Sequence, residues 1–418
     1  MNLNRPATQE PQQVNGRSYR WPRQPVVVIC YDGCDPAYID AGREAGVIPV
    51  TDRMTREGFA TTCLAAMPTF TNPNNMSIVT GVAPAQHGVS GNFYLDRETG
   101  REVMVTDGAS LRAPTLLAAF AAAGAKVAAV TAKDKLRKGL GQGLAGISFS
   151  AEAAERCTEA EHGIDDVVGL VGRPAPNPYS ADLSLFVLDA GVRLLERQRF
   201  DLIYLSLSDY VQHKHAPGTP EANAFMAAVD ERLGRLIALG AAVGIVADHG
   251  MNDMAHPDGR PNVLFLGDLL DTEFGPGAVR VICPITDPFV RHHGALGGFV
   301  RLHLQNGHGD LEAVLAFVRA LDGIGLALPR EEACARFELP ADREGDIAVV
   351  AAHGVALGAR AAEHDLSQLA GQRLRSHGGL AEQRVPFILS QPLSAAYRKT
   401  KGATLRNYDV FDCLLNGV

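Results

Sequence analysis

No apolar stretch in the sequence approaches the roughly 20 uncharged residues that a membrane-spanning helix needs. Met1 to Arg23 is polar and holds no apolar run of the kind a secretion signal requires. Cysteine pairs are missing as well: the seven cysteines are an odd number, scattered, with no CxxC. That speaks against a disulfide framework and for free thiols, so a cytoplasmic location with no membrane contact is expected. There is no long block of one charge, and the formal net charge is -8. A nucleic-acid surface is thereby excluded, because phosphate backbones call for clustered Lys and Arg. A small anion remains open as a partner, since it needs only a few local cations.

The 418 residues, 46% hydrophobic and 21% charged, can bury one large core or two. Residues 1–24 read as a poorly ordered arm. Pro25–Cys30 is then a continuous apolar run rich in β-branched residues, as suits a strand buried on both faces. Similar runs recur at 60–66, 126–130, 202–207, 242–247 and 385–389, separated by helical patterns at 111–123, 183–197 and 221–239. This alternation predicts an α/β fold with a mainly parallel central sheet flanked by helices. Residues 261–365 differ, with Gly/Pro turns, strand candidates at 279–282 and 299–304 and a helix near 310–321. They are expected to form an inserted α+β cap, with 25–260 and 366–418 as the core.

Five segments carry chemistry. Tyr31-Asp32-Gly33 closes the first buried run, where an open parallel sheet gathers ligands. Alone, such an Asp-Gly is a turn. Asp209 and His213, after the run 202–207, are four apart and would face one side of a helical turn. Asp248-His249-Gly250-Met251 ends another buried run, where a carboxylate beside an imidazole is costly unless paired or metal-bound. His377, in a Gly-rich loop before 385–389, would on its own be a surface residue. Finally, Thr71 precedes Asn72-Pro73-Asn74, a turn leading into a helix expected to begin near Asn74. A hydroxyl there is ordinarily a cap, but the same place favours an anion. Together three carboxylates and three imidazoles exceed one tetrahedral zinc and suit two; the donor types also admit manganese or iron.

In this order the segments resemble the alkaline phosphatase superfamily, in its type I phosphodiesterase/nucleotide pyrophosphatase branch. Pro68–Gly81 is similar to the branch's P-T-x-T-x-P-N-x-x-x-x-V-T-G block, and His87–Asn92 to its H-G-x-x-x-N block. The resemblance implies Thr71 as catalytic nucleophile, one metal on Asp32, Thr71, Asp248 and His249, and a second on Asp209, His213 and His377. It implies zinc for both. The fuller strings "YDGCDPAYID", "MPTFTNPNNMSIVTG" and "DHGMNDM" are similar to branch members that hydrolyse a carbon–phosphorus bond. A phosphonate carrying a carboxylate is then the implied substrate, cleaved through a phosphothreonine. Lys133 and Lys135 would hold the carboxylate, Asn92 a phosphoryl oxygen, and His215 and Arg291 are further candidate substrate contacts. The alternative within the branch is hydrolysis of phosphate diesters. A homodimer is left open.

Overall fold

The computed structural model describes residues 9–287, 294–305, 310–369, 371–401 and 404–418. The apolar runs assemble into a seven-stranded sheet. Its order is Phe59–Leu64, Arg384–Leu389, Ala242–Val246, Val26–Cys30, Leu202–Ser206, Val127–Thr131, Ile147–Ser150. Arg384–Leu389 runs antiparallel to both its neighbours, and the other pairings are parallel. Every residue of Val26–Cys30, Leu202–Ser206 and Ala242–Val246 is buried, which is why these strands read as unbroken apolar runs. Helix Asp182–Arg197 buries Leu183, Phe186, Val187, Ala190 and Leu194 in the core around this sheet. Pro220–Ala238 starts with Thr219 capping Ala222 N–H and Pro220 in the first turn.

The sheet is therefore large, mainly parallel and flanked by helices. A second, four-stranded antiparallel sheet has the order Val279–Ile282, Phe299–Leu304, Ile347–Ala351, Ile324–Pro329. Helices Leu311–Arg319 and Arg330–Phe337 close over a separate apolar cluster there.

Several local expectations change. The described part of the N-terminal arm is a hairpin, Gln12–Val14 with Arg17–Tyr19, and Val14 and Tyr19 are buried in the main core. Asn15 and Gly16, both at positive φ, make its turn, a backbone these two residues favour. Strand Ile147–Ser150 was not anticipated, because ISFS mixes polar and apolar positions at the sheet edge. The helix expected from 111 begins at Leu116, since Pro114 cannot sit inside it and Thr115 caps it. Helix Thr71–Thr80 starts three residues earlier than Asn74. Pro73 lies in its first turn, where a missing N–H leaves no hydrogen bond unmade. Among the described residues, no helix is long and apolar enough to cross a membrane.

Candidate metal centre and active-site cavity

The three innermost parallel strands, Leu202–Ser206, Val26–Cys30 and Ala242–Val246, lie side by side, and their carboxyl ends deliver Asp209, Asp32 and Asp248 to one place. Gly33 permits this approach. Its φ is +67°, and a Cβ would stand 3.0 Å from that of Asp209. The loop carrying His377 leads into strand Arg384–Leu389, which is antiparallel to Ala242–Val246 and so starts at this same end of the sheet. Gly378, at φ +125°, has no room for a side chain: a Cβ would lie 2.5 Å from Phe70.

The acids and imidazoles form two groups: Asp209, His213 and His377, and Asp32, Asp248 and His249, with the ligand atoms of each within 4.8 Å of one another. These are the two sets into which the resemblance divides them. Each imidazole is oriented from behind. Nδ1 of His213 is 2.7 Å from the Arg375 carbonyl, that of His249 2.8 Å from Gly250, and that of His377 2.7 Å from Thr69. A carbonyl only accepts, so each Nδ1 carries the proton and each Nε2 faces the carboxylates. His213 Nε2 is 2.8 Å from Asp209 Oδ2, and His249 Nε2 is 3.3 Å from both Asp32 Oδ1 and Thr71 Oγ1. The rings of His249 and His377 stack at 3.5 Å.

This arrangement fits divalent cations. Burial, then Asp209 and Asp248, push the Asp32 carboxyl well above its ordinary range, and its buried Oδ1 makes no hydrogen bond despite the nearby His249 nitrogen. Burial, then His249 and His213, hold His377 well below its ordinary value, so it stays a neutral imidazole. Converging carboxylates, whose mutual repulsion raises Asp32, and acceptor nitrogens are what a cation resolves, taking the place of a proton. Hard oxygen and imidazole donors suit zinc and, equally, manganese or iron.

Thr71 stands at the first position of its helix and lines the cavity. Thr69, the other threonine of the block, is fully buried; its hydroxyl donates to the Gly379 carbonyl and accepts from Gly378 N–H. Thr69 docks the His377 loop and leaves Thr71 facing the site. Asn75, one helical turn on, donates to the Thr71 carbonyl and to Asp248 Oδ2, and accepts from Tyr204 and Ser206.

The cavity above has a volume of about 550 Å³, and Asp32, Thr71, Asn92, Lys133, Lys135, Asp209, His213 and His377 all border it. Buried His249 and Asp248 sit behind these. His215 does not reach the cavity. It is two residues past His213 on a helix that ends at Lys214, so it turns outward, with Nδ1 3.8 Å from Glu221. Arg291, with His292 and His293, lies outside the described residues. Asp287, Glu152, Tyr179 and Tyr210 also line the cavity. None of these carries a motif, so spacing could not have marked them. Glu382 was missed too: it is buried, accepts from Gly379 N–H at 2.9 Å and from Asn252, and braces the His377 loop.

A hydroxyl at a helix start beside paired acid–imidazole groups, on an open parallel sheet, defines a metallohydrolase of the alkaline phosphatase type. The model of the type I phosphodiesterase / nucleotide pyrophosphatase family matches residues 26–379, and the chain belongs to that family. It is similar over nearly its whole length to the crystallised phosphonoacetate hydrolase of Sinorhizobium meliloti 1021. Against the complex with phosphonoformate the identity is 48% and the TM-score 0.93, covering 98% of this chain and 99% of that one. A phosphonoacetate hydrolase of Penicillium oxalicum is 61% identical over 41 residues, 9% of this chain and 56% of its own length. A pyrophosphatase/phosphodiesterase of Schizosaccharomyces pombe is 31% identical over 77 residues, 18% of this chain and 15% of its own. These last two relatives are matched over only part of their length.

Proposed function

We propose that the protein hydrolyses the carbon–phosphorus bond of phosphonoacetate, giving acetate and phosphate, with Thr71 as nucleophile. The observation that carries this reading is one cavity lined both by Thr71 with Asp32, Asp209, His213 and His377 and by Lys133 and Lys135. Asp32, Asp248 and His249 would hold one zinc ion, joined by Thr71, and Asp209, His213 and His377 the other. The chemistry such ions supply is to acidify the Thr71 hydroxyl and to offset charge on the phosphonate oxygens.

The rest falls to the chain. Thr71 Oγ1 attacks phosphorus, the carbon–phosphorus bond breaks, and its electron pair moves onto carbon. An ordinary alkyl carbanion is too unstable to leave. Here the neighbouring carboxylate takes the charge up as an enolate dianion, and the ammonium groups of Lys133 and Lys135 offset charge that grows as the bond breaks. A proton then adds to carbon to give acetate. Water hydrolyses the phosphothreonine, restoring the hydroxyl and releasing phosphate. First-turn amides of the helix and the amide of Asn92 steady the phosphoryl oxygens. One hydrogen of Asn92 Nδ2 goes to the Ile285 carbonyl at 3.2 Å, which fixes the side chain at the cavity wall.

Phosphodiester hydrolysis has one observation in its favour: Tyr179 and Tyr210 at the cavity wall, Tyr179 being 56% exposed, offer an aromatic surface to an aryl or nucleoside group. Turnover of phosphonoacetate beside bis-p-nitrophenyl phosphate and AMP esters separates the readings. Phosphate and acetate released in equal amounts, lost with a strong chelator and restored by zinc, is the expected result. Faster turnover of the diesters would reverse the assignment.

A further inference from the structure

Resting on the phosphonate reading above, we propose that Asp287 is a specificity-determining residue. Its carboxylate occupies Lys135 where a ligand's carboxylate would bind, so that binding exchanges one carboxylate for another.

The two lysines are not equivalent. Lys135 Nζ lies 2.8 Å from Asp287 Oδ2, with the side chains only 13% and 11% exposed. Lys133 Nζ is 3.9 Å from Glu152, both side chains being about a third exposed at 31% and 30%. Lys133 also donates to the Pro178 carbonyl at 3.3 Å and lies 5.4 Å from the Tyr179 ring centre. The close, sheltered ion pair is the one at Lys135, where water screens least.

Asp287 is held in place by its own segment. Asn92 N–H donates to the Pro284 carbonyl at 2.8 Å, Asn92 Nδ2 to that of Ile285, and Thr286 N–H turns back to Cys283 at 3.0 Å. A Cβ on Gly91 would stand 2.8 Å from Pro284 Cβ, so the two strands of chain touch. Lys135 comes from helix Asp134–Leu140 of the main core, whereas Asp287 follows a strand of the smaller sheet. The pair thus bridges two walls of one cavity.

The electrostatic consequence is selective. A phosphonate without a carboxylate leaves the pair intact and gains nothing from Lys135. A carboxylated phosphonate, or free acetate, must compete with Asp287, which weakens both its capture and the retention of the acetate product. Asp287→Asn keeps an oxygen for Lys135 to donate to and removes only the charge.

The test is calorimetric titration of the zinc-loaded protein with phosphonoformate and with methylphosphonate. Phosphonoformate has a carboxylate but no carbon able to carry an enolate, so it is not consumed by this mechanism. D287N is expected to bind phosphonoformate on the order of tenfold more tightly, about 1.4 kcal/mol, with methylphosphonate changed by less than about twofold. Adding Lys135→Met should abolish the gain. An unchanged or weaker phosphonoformate affinity in D287N, or an equal gain for both ligands, overturns the role of Asp287 while the proposed reaction stands. Wild-type protein that fails to prefer phosphonoformate overturns the carboxylate reading of the lysine pair, and this proposal with it. Should D287N not fold, Asp287→Ser is titrated in its place, with the same outcomes deciding.

Discussion

Three backbone carbonyls, those of Arg375, Gly250 and Thr69, decide what the site histidines can do. By accepting from Nδ1–H they leave each Nε2 as an acceptor toward the carboxylates, the form that ligates metal. Thr71 and Thr69 are separated in the same way, by surroundings and not by residue type. Thr69 spends its hydroxyl on the His377 loop, and Thr71 has His249 Nε2 at 3.3 Å. Thr71→Ala is therefore expected to lower kcat by on the order of 10⁶-fold, the scale seen when a covalent nucleophile is removed, while most bound zinc is kept. Metal analysis beside turnover checks this, and near-normal activity would remove Thr71 from the role. Residue spacing made Asp209 and His213 legible as a pair. The same spacing puts His215, two residues on, off the face that Asp209 and His213 share, and the helix ends before it at Lys214.

At the scale of elements, the loop His87–Asn92 shows how a segment is fixed by one buried ring. His87 is fully buried, its Nε2 is 2.8 Å from Ser77 Oγ on helix Thr71–Thr80, and its Nδ1 accepts from Val89 N–H. That geometry requires a neutral ring. Burial, aided by Arg343, pushes the His87 pKa down to about 3 from 6.5. Between those values the unfolded chain binds a proton that the folded chain refuses, so stability falls as pH drops from about 6.5 toward about 3. The slope approaches about 1.4 kcal/mol per pH unit from this group. Raised carboxyls such as Glu344 act in the opposite sense and are common to wild type and variant, so the difference isolates His87. In urea denaturation across pH, His87→Gln should be less stable at neutral pH yet flatter below 6.5. Parallel curves would refute the assignment. Other elements show where sequence patterns succeed: both-face burial made the inner strands plain, whereas edge strand Ile147–Ser150 alternates and the Asn15-Gly16 hairpin was legible only from its turn.

Across the molecule, the smaller sheet reaches the loop before Asn92 through the arginine of a buried ion pair. Arg301, fully buried on strand Phe299–Leu304, donates through Nε to Glu344 at 2.7 Å and through Nη2 to the Ser90 carbonyl and hydroxyl at 2.8 and 3.0 Å. Ser90 is two residues from Asn92, so this pair ties the second sheet to the loop at the cavity wall. Its Nη1 makes no hydrogen bond, and removing Glu344 would leave a whole charge uncompensated. Glu344→Gln is expected to cost about 3 kcal/mol. The double change Arg301→Met with Glu344→Leu should cost less than the two single changes summed. A thermodynamic cycle from urea midpoints measures this, and simple additivity would deny the coupling.

The order of motifs along the chain by itself determined the class of fold and the family, and it marked Thr71 and the six acid and imidazole residues as candidates. Those signals are local: a buried strand ends where its apolar run ends, and a ligand stands just beyond. Only the tertiary structure decided that Asp287 meets Lys135, that Glu382 braces the His377 loop and that Arg301 reaches Ser90. These partners are 152, 3 and 211 residues apart. For Asp287 and Arg301 no local pattern encodes the contact, because the chain must first close two sheets around a shared cavity. Glu382 is near in sequence, yet its inward direction depends on burial that spacing alone does not specify.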